Sequence, residues 1–184
     1  MNEAGYYHEI LLYDEHEKNV ASNHCIEVFF VASAAMLVRR RVFEIVGGFP
    51  SENFLYFDEA DLGFRLRALG FKILGCTHTS YIHLVSGTVS KIPGFKPVIY
   101  YFHTRNRMLT VLKYFYGYYL IKALLLNAKT ILAHLILAPS VKRRTAIHVI
   151  KSVFKRITSV MEVRKAYINL IKKRRILERF LVQI

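Results

Sequence analysis

Short apolar runs, separated by polar and glycine-containing segments, are the main pattern in the first half of the chain. Residues 28–31, 34–38 and 71–76 have the length and apolar character of buried strands, and residues 10–13 are a further candidate. Helical segments are expected between these runs. The pattern therefore predicts an α/β fold for residues 27–106.

Two helices are predicted in this half, and each ends at glycine. A short helix at residues 42–46 is followed by Gly47 and Gly48, which adopt the left-handed backbone of a helix C-cap without steric cost. A longer helix begins near Asp58 and ends at Gly70.

Three carboxylates, Asp58, Glu59 and Asp61, lie at the start of the longer helix, directly after the aromatic-rich residues 54–57. One interpretation is structural, because acidic side chains in a first turn offset the helix dipole and Asp61 is spaced to pair with Arg65. The other is functional, because an aromatic wall desolvates a carboxylate, raises its pKa and suits it to general-base catalysis. The residue pattern leaves both interpretations open.

The two cysteines, Cys25 and Cys76, fit a reduced intracellular protein in which each is a small buried side chain. A single disulfide is the alternative, although no framework of further cysteines supports it. No signal peptide is expected, because the N-terminal residues carry early acids and no apolar run after a basic segment.

Residues 107–138 form an apolar and aromatic stretch that Lys113, Lys122 and Lys129 interrupt. A lysine near the centre of a spanning helix costs about 2.5–3.5 kcal/mol on an insertion scale. Lys122 and Lys129 share one helix face, and the tyrosines of this stretch suit a bilayer interface. We favour a helix lying in the membrane interface, with a core-packed helix and a single membrane span as the alternatives.

A basic amphipathic helix is predicted after Pro139, with Ser140 as its cap. From residue 141 onward, apolar residues recur every three or four positions, and the polar positions between them are mostly Lys or Arg. This pattern favours an anionic membrane surface as the partner. A coiled-coil seam is opposed by Arg164. Nucleic-acid binding would use the charge but has no recognisable reader motif, so no nucleic-acid partner is expected.

The charge is distributed unevenly along the 184 residues, which carry a formal net charge of +14. Residues 1–90 contain 7 basic and 11 acidic side chains, whereas residues 91–184 contain 20 basic and 2 acidic ones. Because 53% of the residues are apolar, a disordered polycation is excluded. The acidic first half and the basic second half are therefore expected to have different roles.

Five short motifs occur in the order found in a known enzyme family. They are the small-residue run 32–40, the Gly-Gly-Phe turn 47–49, the aromatic and acidic run 54–62, His83, and the segment 100–106 with its Tyr-Tyr and Arg-Asn pairs. Over residues 27–115 the chain resembles the rhamnosyltransferase-like members of glycosyltransferase family 2. The resemblance implies the second, acceptor-binding half of a GT-A catalytic domain.

The resemblance also implies a reaction, the inverting transfer of a sugar from a nucleotide diphosphate sugar to an acceptor. In the family, a carboxylate takes the proton of the acceptor hydroxyl as its oxygen attacks the anomeric carbon. The family's acidic pair falls on Asp58 and Glu59, and we assign the base to Glu59 with Asp58 as the alternative. Asp61 is expected to support the acceptor site through Arg65.

Three further residues match positions on the diphosphate side. His83 matches a position that contacts the metal or the diphosphate in many GT-A enzymes. The alternative is that His83 is an ordinary core or surface histidine that binds no ligand. Arg105 and Asn106 match a recurrent pair that orients a closing loop or contacts the diphosphate. The complete enzyme is expected to use a divalent metal, Mg²⁺ or Mn²⁺, that this chain alone does not bind tightly.

The chain departs from the family pattern in three respects. Ser33 stands where the family usually has glycine, and Pro50 stands where it usually has an acid. The Asp-x-Asp metal motif does not occur in the sequence, and a nucleotide-binding half would need about 100 residues ahead of Glu27. We therefore expect a fragment, a split-gene product or a degenerate copy; for a split-gene product, a separate chain supplies the nucleotide-binding half.

The sequence thus predicts three segments: an irregular one at 1–26, half of a GT-A domain at 27–106, and membrane-associating helices at 107–184. The expected function is that of the acceptor-side portion of an inverting glycosyltransferase, which moves a sugar to a lipid-linked saccharide. A nucleotide sugar and a glycan acceptor are the expected partners of the complete enzyme. A non-catalytic membrane-surface module is the alternative, and whether the chain itself is an enzyme is left open. The expected location is cytoplasmic, at the inner face of the cell membrane, with a single span as the other possibility.

Overall fold

The computed structural model describes residues 25–76 and 94–180. These residues are mostly helical and contain one small antiparallel sheet of two strands. The predicted α/β class is therefore supported only in part. The predicted strand at residues 10–13 and the candidate residue His83 lie outside the described residues. In chain order the elements are β1 (Cys25–Glu27), a 3₁₀ turn (Ser33–Ala35), α1 (Arg40–Ile45), α2 (Asp58–Leu69), β2 (Leu74–Cys76), α3 (Lys96–Tyr114), α4 (Gly117–Ile136), α5 (Ser140–Lys155), α6 (Ile157–Lys173) and α7 (Ile176–Phe180).

The sheet pairs β1 with β2. Residues 28–31 and 34–38, both described by the structure, do not form the strands that the sequence predicts. Phe29 and Phe30 are both buried, as the apolar run suggests, but they belong to no strand. The Arg67 guanidinium also takes the Val28 carbonyl oxygen as a hydrogen-bond acceptor, so that carbonyl is not part of a ladder. Val28 N–H still donates to the Ile73 carbonyl oxygen at 3.0 Å, and the chain leaves the sheet after this contact.

A disulfide joins Cys25 to Cys76, so the prediction of reduced, buried cysteines is wrong for this structure. The antiparallel register places the two residues directly opposite each other, with their Cα atoms 4.1 Å apart. Both residues are exposed. The pairing depends on strand register, which the spacing of two cysteines in a sequence does not reveal.

The two helices predicted in the first half are confirmed as α1 and α2. The chain turns at Gly47 after α1 and at Gly70 after α2, with φ angles of 80° and 93°. These angles lie in the left-handed region, where a Cβ atom would clash with the backbone. Glycine therefore fixes both helix ends.

The described residues divide into two compact units. The first contains residues 25–50, 59–76 and 169–180, and the second contains residues 51–58 and 94–168. The predicted boundary at residue 106 lies within α3.

The first unit has its core around α2. Val46, Leu62 and Leu66 are buried together, and Phe43 of α1 and Phe71 pack against them. A second apolar contact joins three phenylalanines, with ring centroids 4.6 Å apart for Phe29–Phe64 and 5.7 Å apart for Phe29–Phe180.

The second unit is a helical bundle whose core is formed by α3, α4, α5 and α6. Its fully or nearly buried apolar residues are Leu109, Ile131, Ala146, Val149, Val153 and Val160. The buried Arg107 of α3 donates from Nε to Asn127 Oδ1 of α4 at 2.8 Å, which ties these two helices together inside the bundle.

The second half of the chain contains more helix breaks than the sequence pattern predicts. The stretch 107–138 is divided between α3 and α4, and the basic helix expected from residue 141 is divided into α5, α6 and α7. Arg164 accounts for the end of α3, because its Nη1 donates to the carbonyl oxygens of Leu112 at 2.7 Å and Phe115 at 2.8 Å. Ser140 is the first residue of α5, and no side-chain hydrogen bond caps the helix there.

Candidate functional site

A strained aromatic loop leads into α2. Phe54, Tyr56 and Phe57 have φ angles of 62°, 64° and 65°, in the left-handed region that residues with a Cβ atom avoid. Each such conformation costs about 1–2 kcal/mol. Strain of this kind persists when surrounding contacts impose it, and it concentrates at functional sites.

Asn106 of α3 supplies part of those contacts. Its amide nitrogen Nδ2 lies within hydrogen-bond distance of three loop carbonyl oxygens, those of Asn53 at 2.9 Å, Leu55 at 2.6 Å and Tyr56 at 2.9 Å. Asn106 is fully buried. Because an amide has two hydrogens, the three acceptors share them, and the loop backbone is held from one point on α3.

Arg105 completes this arrangement, which we call the carbonyl clamp (Arg105 and Asn106). Its Nη2 donates to the carbonyl oxygens of Glu52 and of Asn53, the latter at 2.9 Å, while its Nε donates to Asn106 Oδ1 at 2.8 Å. Burial lowers the pKa of Arg105 from its ordinary value. These contacts hold the backbone of residues 52 and 53 against α3.

Two further side chains of α3 hold the same loop. Lys113 is buried and pairs with Glu52, with Nζ 2.7 Å from Oε1. His103 lies against the rings of Tyr56 and Phe57, at centroid distances of 5.8 Å and 5.3 Å. Burial, helped by the charge of Arg107, lowers the pKa of His103 to about 4, so the imidazole is neutral near pH 7.

The three predicted carboxylates have different surroundings. Asp58 and Glu59 begin α2 and are partly exposed. Asp61 is buried and forms the predicted ion pair with Arg65, whose Nε lies 2.8 Å from Oδ1. The i, i+4 spacing therefore identified this pair correctly, and it separates Asp61 from the two carboxylates that solvent reaches.

Arg65 has a clear structural role in the first unit. In addition to Asp61 it binds the carbonyl oxygen of Val46 and that of Gly48, the latter at 2.7 Å. Both carbonyls belong to the turn after α1. The Asp61–Arg65 pair thus fastens that turn to α2.

The described residues do not fit a divalent cation. No group of three His, Cys, Asp or Glu side chains within residues 25–76 and 94–180 is placed to hold one, and the acidic residues nearest each other on α2 include the paired Asp61. We therefore derive no catalytic step through a metal from this part of the chain.

A second candidate surface is the exposed side of α4. Five large apolar side chains, spaced three, four or seven residues apart, are all more than half exposed, and they are Tyr118, Ile121, Leu125, Leu132 and Ile136. We call them the α4 stripe. The opposite side, with Ala123, Asn127 and Ile131, is buried in the second unit. Among the described helices, α4 is long and apolar enough to cross a membrane by length and composition.

Sequence reasoning missed the contribution of His103, Lys113 and Glu52. The available signal was the position of His103 two residues before the Arg-Asn pair, inside an aromatic run that starts at Tyr100. Its burial against the loop depends on contacts between distant segments, which spacing does not supply.

Comparison with protein-family models, with curated proteins and with solved structures gives no match for this chain.

Proposed function

We propose that the chain is the acceptor-side portion of an inverting glycosyltransferase, related to the second half of a GT-A domain. The observation that carries this proposal is the strained loop at residues 52–57, which the carbonyl clamp holds and which ends at two partly exposed carboxylates. Such a loop places a proton acceptor with little freedom to move, as general-base catalysis requires.

In the proposed reaction the carboxylate of Glu59, or of Asp58, removes the proton from an acceptor hydroxyl. The hydroxyl oxygen attacks the anomeric carbon of the donor sugar, and the bond from that carbon to the nucleoside diphosphate breaks on the opposite face. The sugar is transferred with inversion, the carboxyl group holds the proton, and the diphosphate leaves as an anion. The nucleotide-binding half and any Mg²⁺ or Mn²⁺ of the complete enzyme lie, in this proposal, outside the described residues.

The α4 stripe supports a membrane-associated form of this activity. A helix with one buried side and one exposed apolar side fits the membrane interface, and Lys122 and Lys129 lie along the edge of the stripe on the helix wheel. Glu162 is the only acidic residue in the sequence from 94 to 168, so an anionic cytoplasmic leaflet is the matching surface. The proposed acceptor is accordingly a lipid-linked saccharide.

The α4 stripe also favours a second candidate, a non-catalytic membrane-surface module. This function needs the helical bundle and its charge but not the carboxylates of α2. The two candidates therefore differ in the consequence of changing Glu59 and Asp58.

The test is to co-express the chain with the polypeptide encoded immediately upstream and to measure nucleoside diphosphate release from UDP- and dTDP-sugars by membranes that contain both. Glu59→Gln or Asp58→Asn is expected to lower turnover by about 10²-fold or more, since positioned bases contribute that much. Glu162→Gln, an exposed change on α6, is the matched control and keeps full turnover. Full turnover in both carboxylate variants would leave the membrane-surface module as the function.

A further inference from the structure

A groove of about 650 Å³ lies beside α3 and α5 in the second unit. One side is apolar and aromatic, with Val98 and Phe102 of α3. The other side is polar and basic, with Lys151, Lys155 and Arg156 at the end of α5. We call it the α3–α5 groove.

A short hydrogen-bond network is built into its floor. The hydroxyl of Tyr101 donates to Ser152 Oγ at 2.9 Å, and Arg156 Nη1 donates to the same oxygen at 2.6 Å. These bonds orient the Arg156 guanidinium through one of its nitrogens. Its Nε and Nη2 have no acceptor among the described residues, and a guanidinium edge of this kind matches two oxygens of a phosphate.

The groove carries a positive potential. None of the described residues that line it is acidic, while Lys151 and Lys155 are exposed at its rim. Burial raises the pKa of Tyr101, but the hydrogen bond to Ser152 and the charges of Arg105 and Arg156 outweigh it and bring the pKa below its ordinary value. The charge of Arg156 likewise contributes to the lowered pKa of Arg105, after burial. A bound anion would relieve this repulsion between two cations.

We propose that the α3–α5 groove binds the phosphate or diphosphate headgroup of a lipid, with the anion at Arg156, Lys151 and Lys155 and the adjoining part of the ligand against Phe102. A lipid is favoured over a soluble phosphate because Phe154, one turn from Lys151 on α5, is 71% exposed and places an apolar ring beside the cations. The ligand's role as the carrier of the acceptor sugar rests on the proposed function, whereas the binding itself does not.

Two variants of equal charge separate this site from general attraction to anions. Lys151→Gln with Lys155→Gln removes two rim cations, and Lys142→Gln with Lys165→Gln removes two exposed lysines that do not line the groove. All four changes are at exposed positions, so both proteins are expected to fold. Binding of inorganic pyrophosphate is measured by isothermal titration. Binding to phosphatidylcholine vesicles that contain either phosphatidic acid or phosphatidylglycerol is measured by co-sedimentation.

The groove variant is expected to bind phosphatidic acid vesicles about tenfold or more weakly than the unchanged chain, because it lacks two cations of the proposed anion site. The control pair is expected to lose clearly less. On phosphatidylglycerol, which lacks a terminal phosphate, the two variants should behave alike. Pyrophosphate binding that is lost in the groove variant would assign the site to free phosphate as well as to the lipid headgroup.

Equal losses in both variants on phosphatidic acid, or no preference of the unchanged chain for that lipid, would overturn the proposal. Either result would mean that the bundle attracts anions through its overall charge. The measurement needs neither the nucleotide-binding half nor a donor sugar. Its failure is therefore distinguishable from failure of the proposed transfer reaction, which is measured by turnover.

Discussion

The amide nitrogen of Asn106 lies 2.9 Å from the carbonyl oxygen of Asn53, and 53 positions separate the two residues in the sequence. The contact holds a loop whose three left-handed aromatic residues would otherwise relax. Replacing Asn106 by Leu keeps the side-chain volume but removes the amide hydrogens. The loop carbonyl oxygens that accept from Asn106 then lose this donor. We expect the free energy of unfolding, measured by urea denaturation, to fall by about 2–3 kcal/mol. Amide hydrogen exchange across residues 52–57 should accelerate in the folded protein.

Asn127→Leu is the control for this experiment. Asn127 is also buried and also makes side-chain hydrogen bonds, to Arg107 and to the Ala123 carbonyl, but it does not touch the loop. It should lower stability without a selective increase of exchange at residues 52–57. If both variants accelerate loop exchange to the same extent, Asn106 is a general core residue and the clamp has no specific effect on the loop.

His103 predicts a pH dependence of stability. Its pKa is about 4 in the folded protein and near 6.5 in the unfolded chain, so the unfolded state binds the proton more readily. Stability from this residue is therefore fully present above pH 6.5 and is lost as the pH falls through the window from 6.5 to about 4. Over the whole window the loss is about 3 kcal/mol.

His103→Phe isolates this contribution, since a phenyl ring keeps the packing against Tyr56 and Phe57. Urea denaturation of both proteins at pH 7 and at pH 4.5 gives the difference in free energy of unfolding. The unchanged protein should lose more stability than the variant on acidification. Parallel losses would show that carboxylates alone account for the acid sensitivity.

The helices of the first half were predictable because their determinants are local. Gly47 and Gly70 end α1 and α2, and the spacing of Asp61 and Arg65 predicts their ion pair. These features depend on residues within one or two helical turns, where backbone sterics and side-chain spacing decide the outcome.

The features that position the candidate site were not predictable in the same way. The carbonyl clamp joins residues about fifty positions apart, and Arg67 takes the Val28 carbonyl away from a strand that the apolar run predicts. In both cases a buried arginine or asparagine competes with regular secondary structure for backbone carbonyls. Hydrophobic periodicity contains no information on that competition, since it reports which side chains are apolar and not which carbonyls a distant donor reaches.

The disulfide between Cys25 and Cys76 closes a long chain segment, with a sequence separation of 51. Replacing both residues by serine should lower the free energy of unfolding of the oxidised protein by about 2–4 kcal/mol. The measurement is urea denaturation of the oxidised chain and of the variant. Equal stability of the two would mean that the register of β1 and β2 is set by the surrounding contacts alone.

The redox state of the same two cysteines in cells indicates the compartment in which the protein lies. The structure pairs Cys25 with Cys76, whereas thiols are kept reduced in the cytoplasm, so the proposed location predicts that this disulfide is reduced and both cysteines are alkylated in intact cells. Mass spectrometry after trapping with an alkylating reagent reads this state directly. A fully oxidised pair in rapidly trapped cells would contradict the proposed cytoplasmic location.

The α4 stripe predicts how the chain meets a membrane. Leu125 and Leu132 are 66% and 56% exposed, so replacing both by glutamate leaves the bundle core unchanged and should remove most apolar insertion. Burying a leucine contributes about 1.5–3 kcal/mol, so binding to anionic vesicles should weaken by far more than tenfold.

The control is Leu37→Glu with Ile45→Glu in the first unit, two exposed positions that give the same change in charge. Both variants gain two negative charges, so the net charge of the chain falls equally, and only the stripe variant loses apolar insertion. Co-sedimentation at rising salt separates the two contributions: the unchanged chain should be weakened but not released, and the stripe variant should be released completely. Equal retention of the two variants at high salt would show that α4 does not enter the bilayer interface.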